Sequence, residues 1–494
     1  MKKHILSIGI LFLVIAAHAQ VNEARWWYFG SGGGIDFNPN PIADPNGTLF
    51  TYEGCSSISG PVNGNLEFYT DGLSVKTSTH VNMPNGTGLM GNGSSTQSGQ
   101  VVPYPGSSTK YYIFTMASNV GANGLRYSVV DMTLNGGLGD VVAAQKNVFL
   151  GNSYAEKIAA VKNGNNYWVT TLRLPGQQLH AYEVDATGVN NAAVVSNTGI
   201  ILANNNFYGC MKSNPQGTQL AAVHQGINNQ VHVFDFNKAT GMVTGTTTIT
   251  VTPPGGAGSN TPYGVEFSPN GNLLYTQSWN VSDLKQYDLT AGNAAAISAS
   301  EVILGSNANT GGGSLQTGPD EKLYGARFGQ TYICEVTNPN TLGAGAGYVA
   351  QAVNLSPGDI SRWGLPLFLG SFFGATIEVV DNCFGLETQF VADTTNVDSM
   401  FWDFGDTLSG ALNYAQGLDT VSHLYTDTGT FEVQLVIYNG INTDTIVEEV
   451  YIYPRQWADL GNDTALCVGL EFTIDQDQPY ASWEWHDGST DSVY

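Results

Sequence analysis

From about residue 26 to residue 373 the chain repeats one pattern, and that repeat limits the fold more than any other feature. A turn rich in Asn, Gly and Pro is followed by a short β-forming run, a polar stretch and a second β-forming run. The clearest copies run from Ser213-Asn-Pro-Gln-Gly-Thr-Gln-Leu220 to His232-Val-Phe-Asp-Phe236, from Phe267-Ser-Pro-Asn-Gly-Asn-Leu-Leu-Tyr275 to Gln286-Tyr-Asp-Leu289, and from Thr317-Gly-Pro-Asp-Glu-Lys-Leu-Tyr324 to Tyr332-Ile-Cys-Glu-Val336. Divergent copies contain Gly64-Asn-Leu-Glu-Phe-Tyr69, Lys110-Tyr-Tyr-Ile-Phe114 and Asn166-Tyr-Trp-Val-Thr170. Pro215 and Pro269 lie 54 residues apart, Pro269 and Pro319 50 apart. Short strands recurring at about this period are the signature of a β-propeller, one four-stranded sheet per repeat. A lone sheet cannot bury both faces; stacking it between two neighbours does.

The ring must also close. Arg25-Trp-Trp-Tyr-Phe29 and Trp363-Gly-Leu-Pro-Leu-Phe-Leu369 are short apolar segments at opposite ends of the repeat region. Residues 26–37 and 360–373 are therefore expected to pair in one composite sheet, which would hide two open edges. With the six copies this makes seven blades; six and eight are the alternatives. Nine Asn-Gly dipeptides, among them Asn63-Gly64, Asn163-Gly164 and Asn270-Gly271, suit hairpin turns that need positive φ. The chain is poor in Lys, Glu and Arg and rich in Gly, at 60 of 494 residues, which counts against helical architectures. Hydrophobic residues make up 42%, enough for a large core.

The pattern changes after Phe373. Asp398-Ser-Met-Phe-Trp-Asp-Phe-Gly-Asp406 precedes His423-Leu-Tyr-Thr-Asp-Thr-Gly-Thr-Phe-Glu-Val-Gln-Leu-Val436, in which Phe431, Val433 and Leu435 alternate with Glu432 and Gln434. That is a half-buried strand, and Val447–Tyr453 reads as another. About 75 residues of alternating strands suit a small antiparallel sandwich. Pro454 marks its end. Residues 455–494 hold Leu460-Gly-Asn-Asp-Thr464, Cys467 and Ser482-Trp-Glu-Trp-His-Asp-Gly488.

At the other end, Lys2 and Lys3 precede an apolar run, Ile5 to Ala17, and Ala17-His18-Ala19 supplies small residues at a cleavage site. Residues 1–19 read as a secretory signal peptide, too short to span a bilayer, and no later stretch is long enough to do so. The expected domains are the signal at 1–19, a propeller at 20–375, a sandwich at 376–454 and an incomplete module at 455–494. A net charge of −24 opposes nucleic acid and anionic membrane as partners. Five cysteines leave at least one thiol without an intramolecular partner, and no Cys-x-x-Cys supports a metal or redox site.

Trp402-Asp-Phe-Gly-Asp406 with His423-x-Tyr425 and Gly429-Thr-Phe431 closely resembles the PKD (polycystic kidney disease) domain family, over about 70 residues. The resemblance makes Trp402, Asp403, Phe404, Gly405, Asp406, His423, Tyr425 and Gly429 structural signature residues of an Ig-like sandwich. The longer region, through Trp27-Tyr-Phe-Gly30, Tyr52-Glu-Gly-Cys55, Phe68-Tyr-Thr-Asp-Gly72, Leu125-Arg-Tyr-Ser-Val-Val-Asp131 and Gly264-Val-Glu-Phe-Ser-Pro269, looks like the propeller of secreted modular surface proteins of Bacteroidetes-type gliding bacteria. That likeness implies a WD40/YVTN-like ring, surface display and type IX secretion, although the sorting domain usual in that family is not visible. Residues 460–487 resemble the opening half of the Ig-like modules that follow PKD domains. The tail is therefore expected to be a truncated, loosely held piece of a longer protein, with Cys467 half of a disulfide.

No catalytic constellation stands out. Asp71, Asp131, Asp235, Glu266 and Asp288 are acids at mostly repeated positions, which turn capping explains better than a glycosidase pair. Gly151-Asn-Ser-Tyr-Ala155 echoes a serine elbow but lacks its second Gly and the surrounding α/β pattern. Asp36-Phe-Asn-Pro-Asn40 spaces oxygen ligands as a calcium loop does, yet Pro41 stands where Gly is needed and Gly47 where Glu is needed. An Asx-rich loop is the plainer reading, so no cofactor is assigned and calcium is unsupported. His224 and His232 are placed on opposite sides of a hairpin. Among the aromatics, Trp279, in Gln277-Ser-Trp-Asn-Val281, is the best candidate ligand contact, because a large ring beside polar loop residues is less easily buried. The reading is a non-enzymatic, secreted or cell-surface protein that binds an extracellular glycan or protein. A polysaccharide-degrading enzyme is the alternative, marked by two or three non-repeated acids or histidines at the channel mouth; a surface-layer component is a third.

Overall fold

In the computed structural model, described residues span 22–455, except 225–228, 254–261, 280, 282, 307–310, 374–375, 394–398, 418 and 440–441; beyond 455 only Thr473 and Ser489 are described. The signal segment and nearly all of the tail, with Cys467, lie outside the described residues. The chain divides into two compact units at Thr376/Ile377.

Unit one is all β, and its described residues form seven sheets. The first joins Trp26–Phe29, Gly33–Asp36 and Ile42–Ala43. The second runs Ser56–Ser59, Leu66–Thr70, Ser74–Thr77 and Asn82–Thr87. The third holds Gln100–Pro103, Lys110–Met116 and Leu125–Asp131, with Asp140–Val141 and Val148–Gly151 both on the last. The fourth holds Ala159–Asn163, Asn166–Leu172 and Gly176–Asp185, with Gly188–Val189 and Val194–Leu202 beyond. The fifth runs Met211–Ser213, Gln219–Val223, Gln230–Asn237 and Met242–Thr250. The sixth runs Pro262–Phe267, Leu273–Ser278, Leu284–Asp288 and Val302–Gly305, and the seventh Gly312–Thr317, Leu323–Arg327, Tyr332–Val336 and Tyr348–Asn354. All are antiparallel; five are meanders in chain order, in the third and fourth two strands share one neighbour, and each of the six sequence copies has its own sheet.

Apolar clusters join each sheet to the next. Tyr28 stacks on Tyr69 at 4.3 Å between the first two, and Phe68 meets Tyr111 between the second and third. Val129 packs with Val169 and Val184, Trp168 with Phe234, Val233 with Leu274, and Tyr275 with Leu323. The circle then closes, because Tyr324 and Ile333 of the seventh sheet share a cluster with Trp27 and Ile35 of the first. This cycle of antiparallel sheets of three to five strands is the architecture of a β-propeller.

Closure differs from the expected composite sheet. The first sheet is built from N-terminal strands alone, and 360–373 adds no strand to it. A single bridge, Ser31 to Ile360, is their only ladder contact among the described residues. The segment crosses the sheets instead. The amide of Ser314 donates to the Trp363 carbonyl, that of Leu367 to Cys55, and the Ser56 hydroxyl to Leu367. Leu365, Phe368 and Phe373 enter one cluster, Leu369 a second, and Phe372 touches three. Apolar residues serving several sheets cannot alternate against one partner strand, and Pro366 has no amide to give a ladder. A small cavity lies beside Phe368, Gly370 and Phe373, lined by Gln100, Lys212, Glu266 and Gln316 from the first strands of four sheets. Residues 363–373 thus fill the axis of the ring.

Unit two, taken by itself, is a two-sheet sandwich. One sheet orders Thr376–Val380, Thr388–Asp393 and Thr420–His423; the other orders Tyr414–Gln416, Ser399–Asp403, Gly429–Asn439 and Asn442–Ile452. Val433, Leu435 and Ile437 face inward, as the alternation requires, with Phe390, Trp402 and Phe404 between the sheets.

Candidate ligand face at the propeller axis

The PKD signature residues pack and hydrogen-bond within unit two. Trp402 and Phe404 are buried, and Tyr425 donates to the Phe404 carbonyl at 3.2 Å. Asp403 accepts from the Gly405 amide and from Asn413 Nδ2. Asp406 accepts from the Thr426 hydroxyl at 2.6 Å and amide at 2.9 Å, and pairs with His423 Nε2 at 3.1 Å. Burial alone would raise its pKa, but these donors overcome it and hold the carboxyl below the usual range. Gly405 takes φ +72°, and Gly429 φ +120°, at the turns. His423 is packed on Phe404, with ring centroids 4.5 Å apart.

Most acids weighed as catalysts hold turns. Asp71 accepts from Leu73 and Ser74, Asp131 from Thr133, and Asp288 from Thr290. Glu266 instead pairs with Lys212 at 3.0 Å beside the axial cavity. Asp36 accepts from Arg25, at 2.7 and 2.9 Å, and from the Asn38 amide at 3.0 Å, so its loop is held by an ion pair and an Asx turn. Ser153 lies between the third and fourth sheets. His224 and His232 lie together, with ring centroids 5.3 Å apart, both buried, and burial pushes His232 down to about 4. Among the described residues no group of three or more His, Cys, Asp or Glu is placed to hold a metal.

Trp279 directly follows the second strand of the sixth sheet, and Phe328 the second strand of the seventh. Phe50 and Tyr52 precede the first strand of the second sheet, and Tyr208 precedes that of the fifth. These loops meet around the axial segment. Trp363 lies between Phe328, at 3.8 Å, and Trp279, at 4.5 Å, in a continuous stack. Tyr263 meets Trp279 edge-on at 4.6 Å, and Tyr208 lies 6.2 Å away. Arg362 sits 5.3–5.9 Å from the rings of Tyr52, Phe328 and Phe50. Trp279, Trp363 and Phe328 are half-buried, whereas Phe50 is 65% and Tyr52 40% exposed. Glycine permits the approach: a Cβ on Gly364 would stand 1.7 Å from the Glu53 carbonyl oxygen, and one on Gly313 2.2 Å from that of Trp363.

Beneath the rings lie acids that the sequence did not single out. Glu53 accepts from Tyr263 at 2.8 Å and from Ser94 at 3.3 Å. Burial pushes its pKa up to about 8, against those hydrogen bonds and with a smaller push from Glu156. Glu156 takes the Thr96 amide and hydroxyl and the Asn119 amide, while Lys157 donates to the carbonyls of Phe207 and Tyr208. Both carboxylates are fully buried and occupied by donors from neighbouring loops, so they tie sheets together and offer no free edge to a substrate.

Trp279 is therefore placed among partners, whereas Arg362, Phe50, Tyr52, Phe328 and Tyr208 were missed. A readable signal existed. Trp279 and Phe328 occupy the same phase of successive repeats, and Tyr52 and Tyr208 both stand shortly before a Gly-Cys pair, Gly54-Cys55 and Gly209-Cys210.

Comparison with known proteins divides the same way. Residues 378–450 match the PKD domain family. No curated protein matches the chain. Solved structures similar to it include the Dos1 propeller, at 12% identity over 61% of this chain and 72% of that one, with a TM-score of 0.35. Others are a protein from Lactobacillus plantarum, at 12% over 78% and 92% with a TM-score of 0.36, and Kluyveromyces lactis Hsv2, at 12% over 65% and 92% with a TM-score of 0.35. A modular all-β protein with a propeller and a PKD domain is the class that the cycle of sheets and the match over residues 378–450 define.

Proposed function

We propose that the chain is a secreted or cell-surface binding or adhesion protein, with domains at 20–375 and 376–454. Each of the seven sheets is one blade of a display platform, and the PKD domain acts as a spacer. PKD domains are typical of extracellular proteins, and among the described residues no helix is long and apolar enough to cross a membrane, which fits this reading. Export follows the signal at 1–19, by the type IX route of gliding bacteria. The ligand is an extracellular glycan or protein, met at the axial face.

One observation carries the reading: aromatic rings from three sheets and the axial segment converge at one end of a ring whose channel is filled. Large rings at a loop-built surface are the usual anchors of recognition. Neither acid beneath them is free for hydrolysis, which favours binding over turnover. The test is a glycan array and a secreted-protein array probed with the mature chain and with Trp279→Ala and Tyr52→Ala. The expected result is a ligand whose affinity falls at least tenfold in both variants while each stays folded by circular dichroism. Binding that ignores both changes would place the ligand elsewhere and sink the proposal.

A further inference from the structure

The axial face contains one cation held in an unusual way. Arg362 reaches it from the closing segment, and its Nε donates to Ser31 Oγ at 3.1 Å. Three rings flank the guanidinium: Tyr52 at 5.3 Å, Phe328 at 5.5 Å and Phe50 at 5.9 Å. Arg25, Lys212, Lys285 and Lys322 all pair with acids. Arg362 has no carboxylate within ion-pair distance among the described residues, in a chain with 41 acids and 17 Lys and Arg. Its two terminal nitrogens also have no acceptor among the described residues. Aromatic faces orient a guanidinium without neutralising it, and its planar fork matches a carboxylate with two parallel hydrogen bonds.

The surroundings narrow the ligand. Phe50 and Tyr52 are the most exposed rings of the face, 5.8 Å apart and 80° to one another. Flat rings of this kind stack on the C–H faces of pyranose sugars. A peptide that adds as a strand would need an open sheet edge. Here the first strands of adjacent sheets lie side by side and the axis is filled, so no ladder edge is offered. The charge of −24 penalises a continuous polyanion but acts weakly beyond a Debye length of about 8 Å, so a solitary carboxylate is governed by Arg362. Resting on the binding function proposed above, we infer that this face takes a glycan bearing isolated uronic-acid residues, with Arg362 forking the carboxylate and Phe50 and Tyr52 stacking on the adjoining sugars.

The experiment is calorimetric titration of the mature chain with a panel of short oligosaccharides carrying one uronate each, with the same oligosaccharides after reduction of the carboxylate to the alcohol, and with acidic peptides of equal charge. At least one uronate oligosaccharide should bind, and its reduction should weaken binding tenfold or more. Arg362→Met should produce the same loss for the acidic form and none for the reduced form. Arg362→Lys, which keeps the charge but loses the fork, should recover part of it and controls for folding. Equal binding of the reduced forms, unchanged by Arg362→Met but lost in Tyr52→Ala, would overturn the uronate assignment and leave the binding function standing. Arg362-dependent capture of the peptides alone would overturn the glycan. No binding of any probe would overturn the uronate inference, and if the arrays also yield no ligand sensitive to Trp279→Ala or Tyr52→Ala, the binding function falls with it.

Discussion

Replacing Asp406 by Ala tests whether the PKD signature works as a hydrogen-bonded clamp. The carboxylate holds the Thr426 amide, the Thr426 hydroxyl and His423 Nε2, and its side chain is 1% exposed. Truncation strands these groups in the interior, where an unsatisfied polar atom costs about 1–3 kcal/mol, so the total should be about 3–5 kcal/mol. A domain of this size carries on the order of 4–12 kcal/mol. The variant therefore loses a large share of the unit's stability, and its midpoint should fall by at least about 12 °C at 4–8 °C per kcal/mol. The assay is calorimetry of the whole chain, following the transition of the smaller unit. The folded pKa of Asp406 is depressed, so its contribution is present above the unfolded value of about 3.9 and is lost as pH falls through the folded value. The gap between wild type and variant should hold from pH 7 to about 4 and shrink below that. A gap under about 3 °C at neutral pH, or one that persists unchanged at pH 2, would refute the clamp.

Two further outcomes concern the axial face. Gly364→Ala puts a methyl group against the Glu53 carbonyl, a backbone atom that cannot swing aside, and should cost about 1–3 kcal/mol with a shift in tryptophan emission as Trp363 moves; unchanged melting and emission would count against the packing described. Glu53→Gln mimics the protonated acid. Because the folded pKa is raised to about 8, folding takes up a proton, and wild type loses stability relative to the variant as pH climbs from about 4.3 to 8, by at most about 1.4 kcal/mol per pH unit, then levels off. Chemical denaturation of both proteins between pH 4 and 9 measures this, and parallel curves would show that Glu53 is not buried as described.

The repeat was legible because its period is carried by turn chemistry. Pro215, Pro269 and Pro319 mark successive first-to-second strand turns, and Gly271 takes φ +77° where its Asn-Gly dipeptide requires it. The PKD core was legible because Trp402 and the Phe431–Leu435 alternation report burial directly. Closure was not, because the sequence of 363–373 records only that the segment is apolar, not that its residues separate among several sheets. Of the aromatic face, the sequence pointed to Trp279 alone. Its other members come from residues 50 to 363; the repeat phase of Phe328 and the Gly-Cys pairs after Tyr52 and Tyr208 hint at them, but nothing local says that they meet once the ring closes. Arg362 left no signal at all: among the described residues no carboxylate pairs with it, and no spacing in the chain encodes that.

The closing segment links these points. In an open propeller the channel mouth is the natural place to gather catalytic acids, and the polar residues of the first strands, Lys212, Glu266 and Gln316, do point there. Phe368, Gly370 and Phe373 occupy that space, and Lys212 Nζ is already engaged by both Glu266 and Gln316. A substrate could enter only by displacing a segment whose carbonyls and amides are bonded to two sheets and whose side chains belong to several cores. The segment also delivers Arg362 and Trp363 to the surface just before it turns inward. Filling the channel and building the aromatic face are thus one structural act, and it is why the binding role proposed for this ring falls on the end of the channel and not on its inside.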